Sequence, residues 1–522
     1  MKNAVGVELP EFIEGYGVVK PFAGAFAGYG QVQKAAVRLE SVQPGKTKLL
    51  RSIDEAIEKV NLRDGMTISF PSHLRNGDHV INQVMAVIAA KGIKDLHIAA
   101  THIFPIHELL VDYIKRGIVT GLSASYISPG AVAKAITKGY LKNPAVLRSH
   151  GGRPRAIESG ELHIDVAFIG APTADAYGNI NGVQGKAACG TLSYGIADAQ
   201  YADKVVAITD NLVPYPACPI EISQEYVDYV VTVDSIGDPH GIVSGTLSVT
   251  KDPVGLRIAS LAAQFIDEAG YIKDGMSFQS GAGGTSLAVT AEVRKRMKEK
   301  NVIGSFAAGG VTGFIVDMMN EGLFRSVFDV QCFDLKAIAS YRDNPRHQGM
   351  SGSLYGNPNT KGALVNNLDI MILGATEIDT EFNVNVITGS DGVIMGGSGG
   401  HNDTAAGSKL SVIVTNLIKG RLPIVKSKVT TVATPGETVD VLVTEHGIAI
   451  NPRRSDLIVK LKDSSLPLVP IEKLKEMAER LTGIPEPIPF SDEIVAVVEY
   501  RDGSIIDVVK KPLDTGGCKP RN

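Results

Sequence analysis

The feature that most constrains this chain is an ungapped internal repeat. Six residues of one segment recur 204 positions later, in the same order and with the same spacing. Such a repeat indicates that one structural unit was duplicated, so the two copies should share a fold. The six pairs are Asp165 and Asp369, Gly170 and Gly374, Ala171 and Ala375, Asp175 and Asp379, Asn179 and Asn383, and Asn181 and Asn385.

The segment before each copy alternates apolar runs with helical patterns. In the first half, a helix capped by Ser52 precedes an apolar run at residues 66–70. A second helix then ends at Gly92, and residues 96–100 read as the next strand. Strand, helix and strand at these lengths form a βαβ unit, which requires parallel strands covered by helices. The same order returns after residue 250.

Chain length and this repeat predict the domain organisation. A chain of 522 residues is too long for one ordinary core, so two domains of about 200–250 residues are expected. We place an N-terminal arm at residues 1–45, the first domain at 46–250 and the second at 251–522. The second domain is predicted to end in a hairpin around Asp502-Gly503. The predicted fold class is α/β, with two related domains and largely parallel sheets.

Composition excludes several kinds of partner. A net charge of −4 with 21% charged residues does not suit binding to nucleic acid. No apolar run reaches the ~18 residues of a membrane span. The first residues carry Glu8, Glu11 and Glu14, which argues against a secretory signal. We therefore expect a cytoplasmic protein that binds neither nucleic acid nor membrane.

Two glycine-rich loops are candidates for ligand binding. Gly281, Gly283 and Gly284 lie between a strand and a helix, where backbone amides favour an anion, although a plain tight connection is equally open. A second loop is richer in glycine, and a binding loop is favoured over a spacer there because four glycines cannot pack a core. It contains Gly396, Gly397, Ser398, Gly399, Gly400, His401, Asn402 and Asp403.

A polar segment at residues 341–359 contains Arg342 and Arg346. Its forked cations suit a polycarboxylate, because a guanidinium group binds a carboxylate through two hydrogen bonds, although a solvated loop is the alternative. Arg75, at the equivalent strand end of the first half, is a further candidate. No bound metal is expected, since histidines and cysteines lack ligand spacing, and His102 and His107 are interpreted as structural.

These motifs resemble the CoA-transferase superfamily. The resemblance rests on the repeated Asp-x4-Gly-Ala-x3-Asp-x3-Asn element, the loop at residues 396–403 and the segment at 441–449. Longer strings resemble the citrate lyase α subunit family over essentially the whole chain: residues 333–337, 341–347, 374–379 and 396–401. The resemblance implies two CoA-transferase-like (NagB/RpiA-like) domains with an active site between them.

The resemblance also implies a reaction and its partners. The expected activity transfers an acyl-carrier thioester from acetate to citrate, which is the first half-reaction of citrate lyase. A β subunit would then cleave the citryl thioester, and a γ acyl carrier protein would supply the thioester on a phosphoribosyl-dephospho-CoA arm, for which CoA can substitute. No cofactor bound covalently to this chain is expected, and the assembly should be oligomeric.

One departure from the superfamily concerns the nucleophile. Many CoA-transferases use a glutamate, and alignment on Val316-Asp317 and Gly322 puts its position at Gly309 or Gly310. Without a carboxylate there, citrate itself is expected to attack the acetyl thioester. Backbone amides of Gly309, Gly310, Gly396 or Gly397 would stabilise the oxyanion.

The remaining candidates divide between the two substrates. Citrate is expected to contact Arg75, Arg342, Arg346, His401, Asn402 and Asp403. The carrier arm is expected to contact Gly281, Gly283, Gly284, Ser398, Gly399 and Gly400. Two other functions stay open: another carboxylate CoA-transferase or acyl-CoA hydrolase, and a non-catalytic pair of domains that senses CoA or a sugar phosphate.

Overall fold

A computed structural model describes residues 1–27, 35–36, 43–243 and 249–513 of the chain. Residues up to 243, the first half, and residues from 249, the second half, each contribute most of one large sheet covered by helices. One continuous hydrophobic core contains residues of both halves. The predicted α/β class with largely parallel sheets is confirmed.

The first sheet has ten strands, and only the last of them runs antiparallel to its neighbour. Its central strands are rich in valine, isoleucine and alanine, as expected for strands covered on both faces. In spatial order the strands are Leu49–Leu50, Tyr229–Thr232, Lys204–Thr209, Val166–Ala171, Thr67–Phe70, Leu96–Ala100, Val119–Ala124, Ala145–Leu147, Phe490–Glu499 and Ile505–Pro512.

The second sheet has eight strands with the same plan. All neighbours are parallel except the final pair, which is antiparallel. In spatial order the strands are His347–Gly349, Phe324–Cys332, Gly304–Val311, Ser277–Ser280, Ile370–Leu373, Leu410–Val414, Val441–Thr444 and Gly447–Ile450.

Helices cover both sheets. Ser52 Oγ accepts the Glu55 amide at 3.1 Å, so the predicted cap forms. The helix predicted to end at Gly92 does so, with this glycine at φ +74°. No helix in the described ranges is long and apolar enough to cross a bilayer. The α-helices are Ile53–Lys59, Val80–Lys91, Leu110–Lys115, Ala131–Thr137, Gly152–Glu158, Ser193–Tyr201, Pro253–Glu268, Gly284–Lys300, Gly313–Asn320, Leu335–Asp343, Gly352–Gly356, His401–Gly407, Ser455–Lys460 and Ile471–Thr482.

The repeat appears in the structure as two small sheets of identical topology. In each, a central strand pairs antiparallel with the next strand and parallel with a later one. The turn is closed by the repeated residues: Asp175 Oδ1 accepts the Asn179 amide at 3.2 Å, and Asp379 Oδ1 accepts the Asn383 amide at 2.9 Å. The duplication is therefore confirmed. The strands are Thr173–Asp175, Ile180–Asn181 and Leu212–Val213, and Glu377–Asp379, Val384–Asn385 and Val425–Lys426.

Shorter elements complete the fold. Two-residue strands pair as Phe12–Ile13 with Gly17–Val18, His102–Ile103 with Tyr126–Ile127, and Ile418–Lys419 with Leu422–Pro423. Single 3-10 turns occur at Arg75–Gly77, Pro105–His107, Gln224–Tyr226, Pro239–Ile242, Leu364–Asn367 and Gly436–Thr438.

The predicted C-terminal hairpin forms, but it belongs to the first sheet. Phe490–Glu499 pairs with Ile505–Pro512 and, in parallel, with Ala145–Leu147. The hairpin was predicted to belong to the second domain because it follows that domain along the chain. The structure corrects this prediction, since the hairpin extends the first sheet. A buried ion pair strengthens the connection, since Arg148 donates to both oxygens of Glu499 at 2.7 and 2.8 Å. The division of the chain at residue 250 stays a prediction.

Residues 1–27 of the predicted arm pack on this hairpin. Asn3 Nδ2 donates to the Ile506 carbonyl at 2.7 Å, and the rings of Phe22 and Tyr500 meet edge to face at 4.7 Å between centroids. Most of the predicted arm beyond residue 27 lies outside the described residues.

Candidate active site

The carboxyl ends of strands from both sheets lie close together between the halves. Arg75 follows strand Thr67–Phe70, Phe333 follows strand Phe324–Cys332, and the guanidinium carbon lies 4.8 Å from the phenyl centroid. Ligands of parallel α/β folds bind at such strand ends. We call this region the seam site; it comprises His73, Arg75, His102, His150, Tyr194, Gln279, Gly309, Gly310, Phe333, Tyr355 and residues 396–400.

Gly309 and Gly310 lie at a bulge in strand Gly304–Val311. Gly309 has a φ of +106°, a conformation that favours glycine. A Cβ atom at Gly309 would collide with the side-chain amide of Gln279, and one at Gly310 would collide with the ring of Phe333. A side chain at Gly309 would therefore have to displace Gln279, and one at Gly310 would have to displace the ring of Phe333.

Arg75 is a partly buried cation held between aromatic rings of both halves. Its guanidinium carbon lies 5.3 Å from the Phe104 centroid, and Nη1 donates to the Ile242 carbonyl at 3.0 Å. Burial lowers the pKa of Arg75 from its ordinary value. No carboxylate of the described residues lies within ion-pair distance of this group. Such a cation suits an anionic ligand at the seam site.

Three histidines, of which His73 and His102 are buried and His150 is partly buried, surround Tyr194 in the same region. The ring centroids of His73, His102 and His150 lie 5.3, 5.5 and 5.1 Å from that of Tyr194. Burial lowers the pKa of His73 to about 3 and that of His150 to about 4, and it lowers the pKa of His102 well below its ordinary value. All three are therefore neutral at pH 7. Nδ1 of His102 and of His150 has no hydrogen-bond partner in the described part of the chain.

Sequence reasoning missed most of this aromatic cluster. It interpreted His102 as structural and proposed no role for His73, His150 or Tyr194. A usable signal was present, because each of the three histidines follows the end of a parallel strand: Thr67–Phe70, Leu96–Ala100 and Ala145–Leu147. His107, in contrast, is structural as interpreted, since its Nε2 lies 3.2 Å from Oδ2 of buried Asp78.

The glycine loop at residues 396–400 crosses from the second half to the first. Gly399 donates its amide to the Ser125 carbonyl at 3.1 Å, and its carbonyl accepts the His150 amide at 2.7 Å. A Cβ atom at Gly397 would collide with the Ser125 carbonyl oxygen, so glycine is required for this close approach. The predicted binding loop therefore lies at the seam site, where buried Ser398 Oγ finds no partner among the described residues.

His401, Asn402 and Asp403 begin helix His401–Gly407 and point into the protein. His401 Nδ1 lies 2.7 Å from Thr434 Oγ1, and His401 Nε2 lies 2.9 Å from the Gly374 carbonyl oxygen. Asn402 Nδ2 donates to the Ala433 carbonyl at 3.2 Å. The structure gives these residues a role in holding the loop, and their contact with substrate stays a prediction.

Asp403 also links the two halves. Its carboxylate accepts from Ser149 Oγ and from the Gly151 amide, both at 2.8 Å. Burial raises the pKa of Asp403 to about 6. With both oxygens engaged, this carboxylate is not a free nucleophile at the seam site.

Gly281, Gly283 and Gly284 form the predicted connection between strand Ser277–Ser280 and helix Gly284–Lys300. The Gly281 amide donates to the Ile372 carbonyl at 2.8 Å, and no side chain caps the helix. Strand Ser277–Ser280 neighbours the strand of Gly309, so the loop lies at the edge of the seam site. Its predicted contact with the carrier arm stays a prediction.

Arg342 and Arg346 lie away from Arg75. A cavity of about 420 Å³, the outer cleft, is lined by Val183 and residues 219–221 of the first half and by residues 341–345 and 347–349 of the second. Arg342 lines it and pairs with the neighbouring Asp343 at 2.8 and 2.7 Å. Helix Leu335–Asp343, ~13 Å long at 1.5 Å per residue, lies between Phe333 at its start and Arg342 near its end. The predicted clamp of three arginines is therefore divided between two places.

Asp329, Cys332 and His347 are the buried residues whose types could hold a metal ion. Cys332 Sγ donates to Asp329 Oδ2 at 2.9 Å, and His347 Nε2 lies 3.2 Å from the same oxygen. His347 Nδ1 lies 3.0 Å from Ser340 Oγ. These residues satisfy one another as a hydrogen-bonded network beside the outer cleft.

Comparison with known proteins connects this geometry to one family. The family model of the citrate lyase alpha subunit (CitF) matches residues 46–512. The citrate lyase alpha chain of Klebsiella pneumoniae is 44% identical over 511 residues, which are 98% of this chain and 99% of that relative. That of Escherichia coli K12 is 48% identical over 462 residues, 88% and 90% of the two chains.

Solved structures agree with this result. The alpha subunit of citrate lyase from Streptococcus mutans, in complex with citrate, is 49% identical, with a TM-score of 0.94 over 98% of this chain and 100% of that one. A Pseudomonas malonate decarboxylase hetero-tetramer, in complex with malonate, matches with a TM-score of 0.61 at 17% identity, over 84% and 88% of the chains, which shows the fold alone. These likenesses confirm the predicted CoA-transferase-like arrangement.

Proposed function

Because the chain belongs to the citrate lyase α subunit family, we propose that it exchanges acetate for citrate on the thioester of an acyl carrier protein or of CoA. Citrate is the ligand with which the Streptococcus mutans relative is described. The observation that carries the chemical part of the proposal is that glycines, and no carboxylate, stand at positions 309 and 310, where Gln279 and Phe333 occupy the space of a side chain.

Citrate binds at the seam site through Arg75 in this proposal. The guanidinium group has no carboxylate partner among the described residues and is held by Phe104 and Phe333, so its fork is available to a substrate carboxylate. The neutral rings of His102 and His150 add hydrogen-bonding atoms without adding charge. The predicted contact of Arg342 and Arg346 with citrate is not part of this proposal, because Arg342 lines the outer cleft and not the seam site.

The reaction proceeds by direct attack of citrate. A citrate carboxylate oxygen bonds to the acetyl carbonyl carbon, and the carbon–sulfur bond breaks to release the thiolate and a mixed anhydride. The thiolate then bonds to the citryl carbonyl carbon, and acetate leaves with one oxygen that came from citrate. Holding the two acyl groups in line is the protein's main contribution, since it replaces a bimolecular encounter.

Backbone amides supply the oxyanion stabilisation. The N–H groups of Gly396 and Gly397 donate to no described residue, although both residues are buried. Buried amides without partners are rare in folded proteins, so a ligand oxygen is the natural acceptor. Gly309 and Gly310 are the alternative donors on the opposite side of the same site.

A single-turnover experiment with citrate carrying oxygen-18 in its carboxylates tests the mechanism. With enzyme in excess over acetyl-CoA, direct attack puts one heavy oxygen into the first acetate and yields citryl-CoA. An enzyme carboxylate would instead give unlabelled acetate in that turnover and leave an enzyme–CoA thioester, which borohydride reduces and so traps. Acetate formation without citryl-CoA would show a hydrolase, and either of these results would refute the proposal.

The same proposal includes the predicted partners. A γ acyl carrier protein presents the thioester on its phosphoribosyl-dephospho-CoA arm, and a β subunit cleaves the citryl thioester. Co-purification of the three chains as an oligomer is the corresponding test. A cytoplasmic location stays an expectation.

A further inference from the structure

Asp403, in the first turn of the helix that follows the glycine loop, is bound by a short segment of the first half. Ser149 Oγ donates to Asp403 Oδ1, and the Gly151 amide donates to Asp403 Oδ2, both at 2.8 Å. Between these two donors, the His150 amide donates to the Gly399 carbonyl of the loop at 2.7 Å. Three consecutive residues therefore hold the loop backbone and the carboxylate together.

The polar groups around Asp403 are donors or cations. Besides Ser149 and Gly151, Arg501 of the C-terminal hairpin lies 3.7 Å away, measured from its Nε to Asp403 Oδ1. Burial raises the pKa of Asp403 to about 6, so the group is largely ionised at pH 7. An ionised carboxylate has only acceptor sites, whereas an amide would turn a donor toward one of these groups. Position 403 is therefore suited to a carboxylate and not to an amide.

The packing around this carboxylate leaves little room for movement. A Cβ atom at Gly356 would approach Asp403 Cγ to 3.0 Å, and one at Gly151 would collide with the Gly356 carbonyl oxygen. In the loop, a Cβ atom at Gly397 would collide with the Ser125 carbonyl oxygen. Because closely packed interiors are poorly compressible, a shift at Asp403 is passed on to the loop.

The loop amides proposed to stabilise the oxyanion depend on this anchorage. The Gly396 carbonyl accepts the Ile127 amide at 3.3 Å, a longer hydrogen bond than the two at Asp403. The amides of Gly396 and Gly397 themselves donate to no described residue, so they do not fix the loop. Oxyanion stabilisation needs donors at hydrogen-bond distance from the reacting oxygen, so a small displacement of the loop weakens it.

We infer that Asp403 is a positioning residue for the transfer reaction: it holds the loop at 396–400 against residues 149–151, so that the amides of Gly396 and Gly397 stay where the oxyanion forms. This inference rests on the proposed function, in which those amides stabilise the oxyanion. It gives Asp403 an indirect role in place of the predicted contact with citrate. A displaced oxyanion donor weakens the transition state and not the bound substrates, so kcat and not KM reports the loss.

Asp403→Asn tests this role with almost no change in side-chain volume. We expect kcat to fall about tenfold, while the KM values for citrate and acetyl-CoA stay within about twofold of wild type. A rise in the KM for citrate without a fall in kcat would show direct contact with the substrate and overturn the inference. An unchanged kcat would overturn it as well.

Asp507→Asn is the matched control. Asp507 is also a buried aspartate between the first sheet and the second half, since its Oδ2 accepts the Val432 amide at 2.7 Å. It makes no hydrogen bond to residues 396–403 among those the structure describes. Its kcat should stay within about twofold of wild type. An equal fall in kcat would show that any weakened contact between the halves slows the reaction, which contradicts a specific role of Asp403.

Ser149→Ala removes the same contact from the first half and leaves Asp403 in place if the variant at 403 does not fold. We expect kcat to fall about three- to tenfold. The double variant Ser149→Ala/Asp403→Asn should lose no more activity than the more affected single variant, because both changes break one hydrogen bond. Losses that multiply would mean that the two residues act separately, and the inference would be wrong.

Hydrogen exchange distinguishes failure of this inference from failure of the proposed function. In Asp403→Asn the amides of residues 396–400 should exchange about tenfold faster than in wild type, since the loop opens more often, and in Asp507→Asn they should not. This measurement needs no substrate. If the wild type yields no citryl thioester, the proposed function fails, and exchange still decides whether Asp403 holds the loop. Equal exchange in wild type and Asp403→Asn would refute the inference.

Discussion

The guanidinium carbon of Arg75 lies 4.8 Å from the ring centroid of Phe333, a residue of the opposite half. Phe104 of the same half as Arg75 provides a second ring at 5.3 Å. Each such contact contributes about 0.5–2 kcal/mol. The side chain is thus ordered before a ligand arrives, and binding costs less conformational entropy.

Replacement of this arginine should affect citrate more than the thioester donor. Arg75→Lys keeps the charge but loses the two-pronged fork, so we expect the KM for citrate to rise at least about tenfold, a loss of ~1.4 kcal/mol. The KM for acetyl-CoA should change less than twofold, roughly the scatter of such measurements. Arg342→Lys, at the outer cleft, is the control and should leave the KM for citrate unchanged. The reverse pattern would place citrate in the cleft.

Alanine at Gly309 should destabilise the fold more than alanine at another glycine with positive φ. Gly275→Ala meets only backbone strain, since φ is +77° and nothing lies within 4 Å, so a loss of about 1–2 kcal/mol in unfolding free energy is expected. Gly309→Ala adds a collision with Gln279, which Tyr355 holds at 2.8 Å, and the loss should reach about 2–4 kcal/mol. Denaturant midpoints measure both. Equal losses would show that Gln279 moves aside freely.

Alanine at Gly397 should reduce turnover. The added methyl group collides with the Ser125 carbonyl and displaces an amide proposed to stabilise the oxyanion. A fall in kcat of about 10²–10³ is expected, the usual cost of losing one such donor. Gly362→Ala, at an exposed glycine with open space around it, is the control. Normal kcat in Gly397→Ala would exclude this loop from the reaction.

His401 should make stability depend on pH below 6.5. Burial lowers its folded-state pKa to about 4, so the unfolded chain binds the proton first as the pH falls. The stability it contributes is complete above its unfolded pKa of ~6.5 and is lost as the pH falls toward the folded value.

His401→Asn removes this titration. The difference in unfolding free energy between wild type and variant should shrink by about 2 kcal/mol from pH 7 to pH 5. Denaturant titrations of both proteins at several pH values measure it. Parallel pH profiles would show that the imidazole titrates alike in both states.

Much of the fold was predictable because its signals are local. The turn between Asp175 and Asn179 is closed by hydrogen bonds within four residues, and the copy at Asp379 and Asn383 repeats them. Helix caps at Ser52 and Gly92 act over equally short distances. Residue identity therefore decides these features almost without regard to the rest of the chain.

The candidate site was predictable only in part. The loop at 396–400 was found because four glycines around one serine are unusual in any part of a folded protein. Arg75 was found from its position after a strand, although nothing in the sequence separated it from Arg342 and Arg346. Tyr194 carries no local signal, since a single tyrosine is ordinary until the rings of His73 and His150 are brought to it.

The sequence by itself determined the duplication, the parallel α/β plan of each half and the glycine at the position of the expected nucleophile. Only the tertiary structure decided that the hairpin at 490–512 completes the first sheet, that Arg75 lies against Phe333, and that Arg342 belongs to a separate cleft. The physical reason is the separation along the chain of the residues that interact. Hydrogen bonds and steric preferences between near neighbours are set by residue type, whereas contacts between residues hundreds of positions apart form only when both sheets have packed into one core.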